Sequence, residues 1–357
     1  MQNFGALLRI SVWGIMSVLA AVFCLYNFSA LNPLIAANAV FNNPVLPEQT
    51  QTATPVSPEP ATTTPTETPQ NETPPQTAVD TAAQAQEAEM AAASSTVRGE
   101  IIERFISPYT AKNSYKNIYL KNNTDLSVDI KSLFDSKLNL NLEKNEQPQV
   151  LILHTHATES FIFHNLNYYT DADQSRSTDQ NKNMIALGKT VAEKLNSAGI
   201  KTIHDTTLHD HPSYNQSYSR SAKTISSYLK KYPSIKIVID LHRDAIAASD
   251  TDKVKVTTEI DGKKAAQIML VMGSQSGSVD NFPNWQENLK LALHIQSTAE
   301  EMYPSLARPI TLMSKNYNES LSNGSVLIEI GTDANNFQEA LYSSELLGNI
   351  LVKLLGS

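Results

Sequence analysis

Cysteine is nearly absent from this 357-residue chain: the one example, Cys24, lies inside an apolar segment. That excludes an internal disulfide framework, a thiolate metal site and a cysteine nucleophile in the folded part. Any metal site has to be built from His, Asp and Glu. Positive charge is missing over a long stretch, since Arg9 is followed by no Lys or Arg until Arg98. No charge of either sign appears between Ile10 and Glu48. Of the 36 acids and 28 bases, seven and one precede Arg98, which leaves 29 against 27 and a net charge of −2 for the remainder. A near-neutral body with an acidic leader lacks the basic face that nucleic-acid binding needs, so no nucleic-acid partner is expected. No internal repeat is present.

What fills the uncharged stretch is informative. Residues 10–31 (ISVWGIMSVLAAVFCLYNFSAL) are apolar and long enough, as a helix, to cross a ~30 Å hydrocarbon core. Arg9 flanks them on the N-terminal side, which by the positive-inside rule leaves the N-terminus in the cytoplasm and the rest of the chain outside. The competing reading is a cleaved signal peptide with Ala37-Asn38-Ala39 as its cleavage site, but the apolar run is longer than a signal h-region. Nine of the 17 prolines lie between Pro44 and Pro75, amid Thr, Gln and Ala. Such a segment buries too little apolar surface to offset chain entropy, and its prolines keep it extended. The expected division is residues 1–9 as cytoplasmic N-terminus, 10–31 as transmembrane anchor and 32–97 as disordered linker. Residues 98–147 follow as a lead-in to the folded region and 148–357 as the chemical domain, on the extracytoplasmic side of the cell membrane.

From residue 148 strand and helix patterns alternate. Val150–Leu153 is a short apolar run suited to a buried strand, and Asn183 to Ala198 carries Met184, Leu187, Val191 and Leu195 at helical spacing before Gly199. Ile200–Ile203 and Ile235–Leu241 read as strands, with a helix from Ser219 to Lys231 between them. Residues 254–259 and 267–272 read as a hairpin about Asp261-Gly262. A helix from Trp285 to Met302, strands near Ile310 and at 326–330, and a helix from Gln338 to Leu355 complete the domain. The fold class expected is α/β, a mostly parallel sheet with helices on both faces and an inserted β-hairpin.

Three of these strands end in chemistry. The first runs into His154-Thr155-His156-Ala157-Thr158-Glu159, the third into Asp240-Leu241-His242-Arg243-Asp244, and the last holds Glu329 in an otherwise apolar run. In a parallel sheet such ends converge, and two imidazoles with a carboxylate are the inventory of a catalytic zinc site. Glu329 is costly in an apolar strand unless it faces a site and has a partner. His204, His209 and His211 fall in a polar, tyrosine-rich loop that suits sugar or peptide contact and solvent equally.

The ordered motifs VLILHTHATESF, IHDTTLHD, IDLHRDA and VLIEIGTDANNFQEA resemble the stage II sporulation protein P family, over about residues 100 to 357. The resemblance implies a membrane-anchored zinc N-acetylmuramoyl-L-alanine amidase, acting on peptidoglycan during spore engulfment. It extends to cleavage of peptide cross-links, and to partnership with a sporulation lytic transglycosylase and a membrane scaffold protein. More distantly the motifs are similar to the amidase-3 class of wall hydrolases. By that likeness His156 and His242 are zinc ligands, and Glu329, with Gly331 and Asn335 in an E-x-G-x-x-x-N pattern, is catalytic. Arg220 resembles an arginine of that class. Two matches stay open: His154 competes with His156, and Glu159 lies nearer its histidine than the class's ligand Glu, so a loop His or Asp could replace it. His154, Arg220, Arg243, Asp244 and Asn335 stand as substrate-contacting or supporting candidates. The rival readings are a vegetative cell-separation amidase and a tethered wall-binding module without turnover.

Overall fold

The computed structural model describes residues 78–356 apart from 141 and 144. The apolar segment 10–31 and most of the proline-rich stretch lie outside the described residues. Among the described residues no helix is long and apolar enough to cross a membrane. The first element is α1 (Ala78–Ala93), so the linker assigned through residue 97 includes a helix. Its eight alanines in 16 residues, past the last of the clustered prolines, explain this: alanine is the strongest helix former.

Twelve strands follow in chain order: β1 (Val97–Arg104), β2 (Asn113–Tyr115), β3 (Ile118–Asn122), β4 (Val150–Leu153), β5 (Tyr168–Thr170) and β6 (Thr202–His204), then β7 (Ile237–Asp244), β8 (Lys253–Ile260), β9 (Lys263–Ala266), β10 (Ile268–Gly273), β11 (Ile310–Met313) and β12 (Ser325–Thr332). The further helices are α2 (Ile130–Asp135), α3 (Met184–Ser197), α4 (Ser217–Lys231), α5 (Trp285–Met302) and α6 (Phe337–Leu355). Eight strands form one sheet in the order β2-β3-β11-β10-β12-β7-β4-β6. Five of its seven pairings are parallel; β2 with β3 and β10 with β12 are antiparallel.

The architecture departs from the sequence expectation in three places. A second sheet, β5-β1-β8-β9, stands beside the first. The presumed lead-in supplies β1 to that sheet and β2 and β3 to the main one, so it is part of the fold. The hairpin's return arm is β9, not residues 267–272. Asp261 (φ 50°) and Gly262 (φ 73°) form the two-residue turn with both φ values positive that matches strand twist. Gln267, fully buried, then bonds the backbone of Ile106 and Ser305, and the chain crosses into β10 of the main sheet.

β4 shows why both faces of the sheet are covered. Val150 and Ile152 join the large core built with α3, α5 and α6, while Leu151 and Leu153 pack with Ile225 and Tyr228 of α4. All four are fully buried, which is why the run is uniformly apolar rather than alternating. The flanking helices start and stop on local signals. The Asn183 side chain caps α3 by accepting from the Ile185 N–H, and Asn336 with Glu339 forms a capping box at α6.

Candidate active site

β12, β7 and β4 lie side by side and run parallel, so their C-terminal ends meet at one edge of the sheet. Residues 237, 239 and 241 of β7 face the large core with 326, 328 and 330 of β12. Alternation therefore turns Asp240, His242 and Glu329 to the α4 face, where the register sets Glu329 beside His242. His156 comes from the turn that follows β4 and is 5 % exposed.

The His156 and His242 rings stand perpendicular (89°), their centroids 5.1 Å apart. Two tyrosines enclose them. Tyr214 stacks on His156 at 4.5 Å and 12°, and Tyr218, at the start of α4, lies parallel to His242 at 6.5 Å and edge-on to His156. The Arg176 guanidinium sits 4.8 Å from the Tyr214 ring centre and pairs with Asp210 at 2.6 Å. Both ring nitrogens of His156 and one oxygen of Glu329 are buried without a hydrogen-bond partner. Each such atom costs about 1–3 kcal/mol, so their concentration here marks a place built for function rather than stability.

The electrostatics of the three groups diverge. Burial, then the neighbouring His242, holds the His156 imidazole down at about 2, so it stays neutral with a free lone pair. Burial opposes charge on His242 too, but Asp240, Glu159 and Glu329 outweigh it and raise that ring to about 10. Burial and Asp244 raise Glu329 to about 8, against the opposing pull of His242 and Arg308. A carboxyl poised there exchanges its proton readily near neutral pH.

A metal suits these donors in kind. His156 offers unpartnered nitrogens, and His242 Nδ1 lies 3.7 Å from Glu159 Oε2. That carboxylate is oriented by accepting from the Arg243 backbone N–H at 3.1 Å and lies 3.8 Å from Arg176. Among the described residues no three such side chains converge into a finished cage. The fit is thus in donor chemistry and burial, through His156, His242 and Glu159.

The other sequence candidates serve different ends. His154 points to the opposite face, against α3: its Nδ1–H donates to Leu241 O (3.0 Å), and its Nε2 accepts from His204 Nε2 (2.9 Å). Gly188 of α3 admits this pair, since a Cβ there would fall 2.5 Å from His154 Nε2. His209 bonds the His154 carbonyl and Thr224. Arg220 clasps the preceding loop through the carbonyls of His209 and Ser213. Arg243 donates to the carbonyls of Ser160 and Ser175, and Asp244 pairs with Arg308 at 2.9 Å. Asn335 spends its amide on Thr332, Val256 and Glu339, closing the turn that Gly331 (φ 63°) permits. In the E-x-G-x-x-x-N pattern Gly and Asn therefore build the strand-to-helix turn, and Glu329 alone faces the site. Tyr214, Tyr218, Arg176 and Arg308 are the members that sequence reasoning missed, and Asp240 stood in the third motif without a role. Of the four missed, only the two tyrosines carried a signal, through their tyrosine-rich loop.

The histidine pair makes a testable contribution to stability. Burial lowers His204 to about 4 and His154 to about 3, from an ordinary 6.5. The unfolded chain therefore takes up protons below pH 6.5 that the fold refuses until pH nears 4. Stability should fall with pH across that window by ~1.4 kcal/mol per unit for each ring. His204→Gln, which can still donate to His154, should reduce the slope by one ring's share. Denaturant midpoints between pH 7 and 5 test this, and an unchanged slope would refute it.

Fold and site together define an α/β protein whose reactive side chains gather at the C-terminal edge of three adjacent parallel strands. The family model described as stage II sporulation protein P (SpoIIP) matches residues 40–352, and the chain belongs to that family. Among solved structures it is similar to the CwlD amidase from Clostridioides difficile, solved in complex with the GerS lipoprotein, at 15 % identity over 58 % of this chain and 98 % of that one (TM-score 0.37). It is also similar to the N-acetylmuramoyl-L-alanine amidase AmiC2 of Nostoc punctiforme, at 12 % identity over 61 % and 100 % (TM-score 0.37). A third is the catalytic domain of CwlV, an N-acetylmuramoyl-L-alanine amidase from Bacillus (Paenibacillus) polymyxa var. colistinus, at 10 % over 58 % and 96 % (TM-score 0.33). No curated protein matches the chain.

Proposed function

We propose that this chain is a zinc-dependent peptidoglycan hydrolase that cleaves the amide between the lactyl group of N-acetylmuramic acid and L-alanine during spore engulfment. The observation that carries the reading is the perpendicular pair of buried imidazoles beside the buried carboxyl of Glu329, all at one sheet edge. Membership of the family supports the setting. His156, His242 and Glu159 would hold the metal, and zinc bound there would supply Lewis acidity towards a carbonyl and lower the pKa of water towards ~7. Glu329 accepts the attacking water's proton and returns it to the departing amine. Tyr214 and Tyr218 wall the two imidazoles and limit the water that reaches them. The apolar segment 10–31 anchors the chain, with a lytic transglycosylase and a membrane scaffold as its partners in the wall.

Digests of purified peptidoglycan with the full-length chain test the reading. New L-alanine amino termini without new reducing ends, together with one zinc per chain, are the expected result. Wall binding without any new amine would make the protein a binding module instead.

A further inference from the structure

Resting on the reading that Glu329 serves amide hydrolysis, we infer that Tyr317 is a further catalytic residue, whose phenol O–H donates to the carbonyl oxygen of the scissile amide as negative charge builds on it. Tyr317 lies in the segment between β11 and β12, in the left-handed region at φ 50°, and Asn318 follows at φ 61°. Asparagine tolerates that region, but for a bulky aromatic residue it is a strained conformation. Strain of this kind persists only where the surroundings over-determine it, and it collects at active sites.

The two residues that follow Tyr317 tie it to three elements. Asn318 Nδ2 donates to Tyr218 O at 2.8 Å and to Ser221 Oγ at 3.0 Å, both at the start of α4. The Glu319 side chain accepts the Gly273 N–H of β10 at 2.8 Å, and its carbonyl accepts from Asn288 Nδ2 of α5 at 2.8 Å. Gly273 lets the segment lie against β10, since a Cβ there would run into Lys315 O. Glu319 is only 2 % exposed and its Oε1 is unpartnered, so the anchor is itself kept at a cost in stability.

So fixed, Tyr317 borders the site. Its ring centre lies 6.2 Å from that of Tyr218. The charges that act on its phenol are those of Glu319 and Glu329, whereas Tyr218 also feels Asp240 and Glu159. Tyr317 therefore stands on the Glu329 side, away from β7. Burial raises the phenol above its ordinary value, so it keeps its proton at neutral pH. Its hydroxyl bonds to no described residue, and Glu329 Oε2 is likewise unpartnered. The site thus holds an unspent donor and an unspent acceptor, and a hydrated amide uses both. Glu329 takes the proton of the attacking water as the water oxygen bonds to the carbonyl carbon. The C=O electron pair moves onto the carbonyl oxygen, which accepts the hydrogen bond of Tyr317. When the C–N bond breaks, that pair re-forms the carbonyl and Glu329 returns its proton to the amine nitrogen. Tyr317 keeps its own proton throughout, so its bond is stronger in the transition state than in the ground state.

The test uses the full-length chain. Tyr317→Phe removes the hydroxyl alone, and because that hydroxyl holds nothing in the fold the melting temperature should stay at the wild-type value. Hydrolysis of a soluble muropeptide should fall ~10²–10³-fold in kcat, the usual loss for one oxyanion donor, with KM and wall binding unchanged. Affinity for a phosphinate analogue of the amide, tetrahedral and charged as the transition state is, should weaken by a similar factor. A Tyr317→Phe protein that turns over at the wild-type rate would overturn the inference and leave Glu329 in place. So would a rise in KM with kcat retained, which would make Tyr317 a ground-state substrate contact. A fall in melting temperature that matches the loss of rate would assign the hydroxyl to the fold and overturn it too. Wild-type chain that releases no new amine would remove the hydrolase reading itself, and the role of Tyr317 with it.

Discussion

Glu329→Gln should reduce cell-wall turnover by ~10²–10⁴, the usual loss for a general acid–base group, with zinc content and wall binding retained. The fold should tolerate the change. Burial already favours the neutral carboxyl, holding it at about 8, and glutamine is a neutral isostere. The melting temperature should hold or rise, because an amide asks less of a buried site than a carboxylate flanked by Asp244. Zinc stoichiometry, thermal melting and dye release from labelled wall, on one preparation, decide the point. Near-normal activity in folded, zinc-loaded protein would remove Glu329 from the mechanism. Loss of zinc would move it into the coordination shell.

His156→Ala and His242→Ala should each abolish turnover and metal retention, but with unequal effects on the fold. His156 makes no hydrogen bond through its ring, so its loss forfeits ring contacts with Tyr214, Tyr218 and His242, about 0.5–1.5 kcal/mol per pair, offset by the relief of two unsatisfied nitrogens. His242→Ala strands the buried Asp240 carboxylate without its cation, a loss of ~3–5 kcal/mol. Paired measurements of zinc content and unfolding midpoint should separate the two. His154→Ala should destabilise by breaking the bonds to Leu241 and His204. Were it to lose zinc while His156→Ala kept zinc and activity, the ligand of the first motif would be His154.

Much of the main sheet was legible because its strands obey simple rules. β4 and β7 are apolar runs, and α3 and α5 show helical spacing up to clear stops. The convergence of His242 and Glu329 followed from strand ends in a parallel sheet. The choice between His154 and His156 did not, although a clue was available. Val150 and Ile152 face α3, so His154, next in the alternation, falls under α3 as well, while His156 lies beyond the strand in a turn. The second sheet left little trace, because β1 and β5 are mixed in polarity and β1 pairs with β8, some 150 residues later in the chain. Arg308 shows why solitary charges resist reading. It sits in a loop with no spacing pattern, yet it is 3 % exposed and its pairing with Asp244 is a contact of the tertiary fold alone.

The place of β1 has a mechanical consequence. Its first half is hydrogen-bonded antiparallel to β5 and its second half parallel to β8, whereas everything N-terminal to Val97 precedes this clamp. A pull along the strand axis from that side strains the two ladders in shear, so many bonds share the load together instead of breaking one after another. The strands that carry His242 and Glu329 belong to the other sheet. Tension from an upstream tether would therefore load β1 and its two ladders first, ahead of the strands that carry His242 and Glu329.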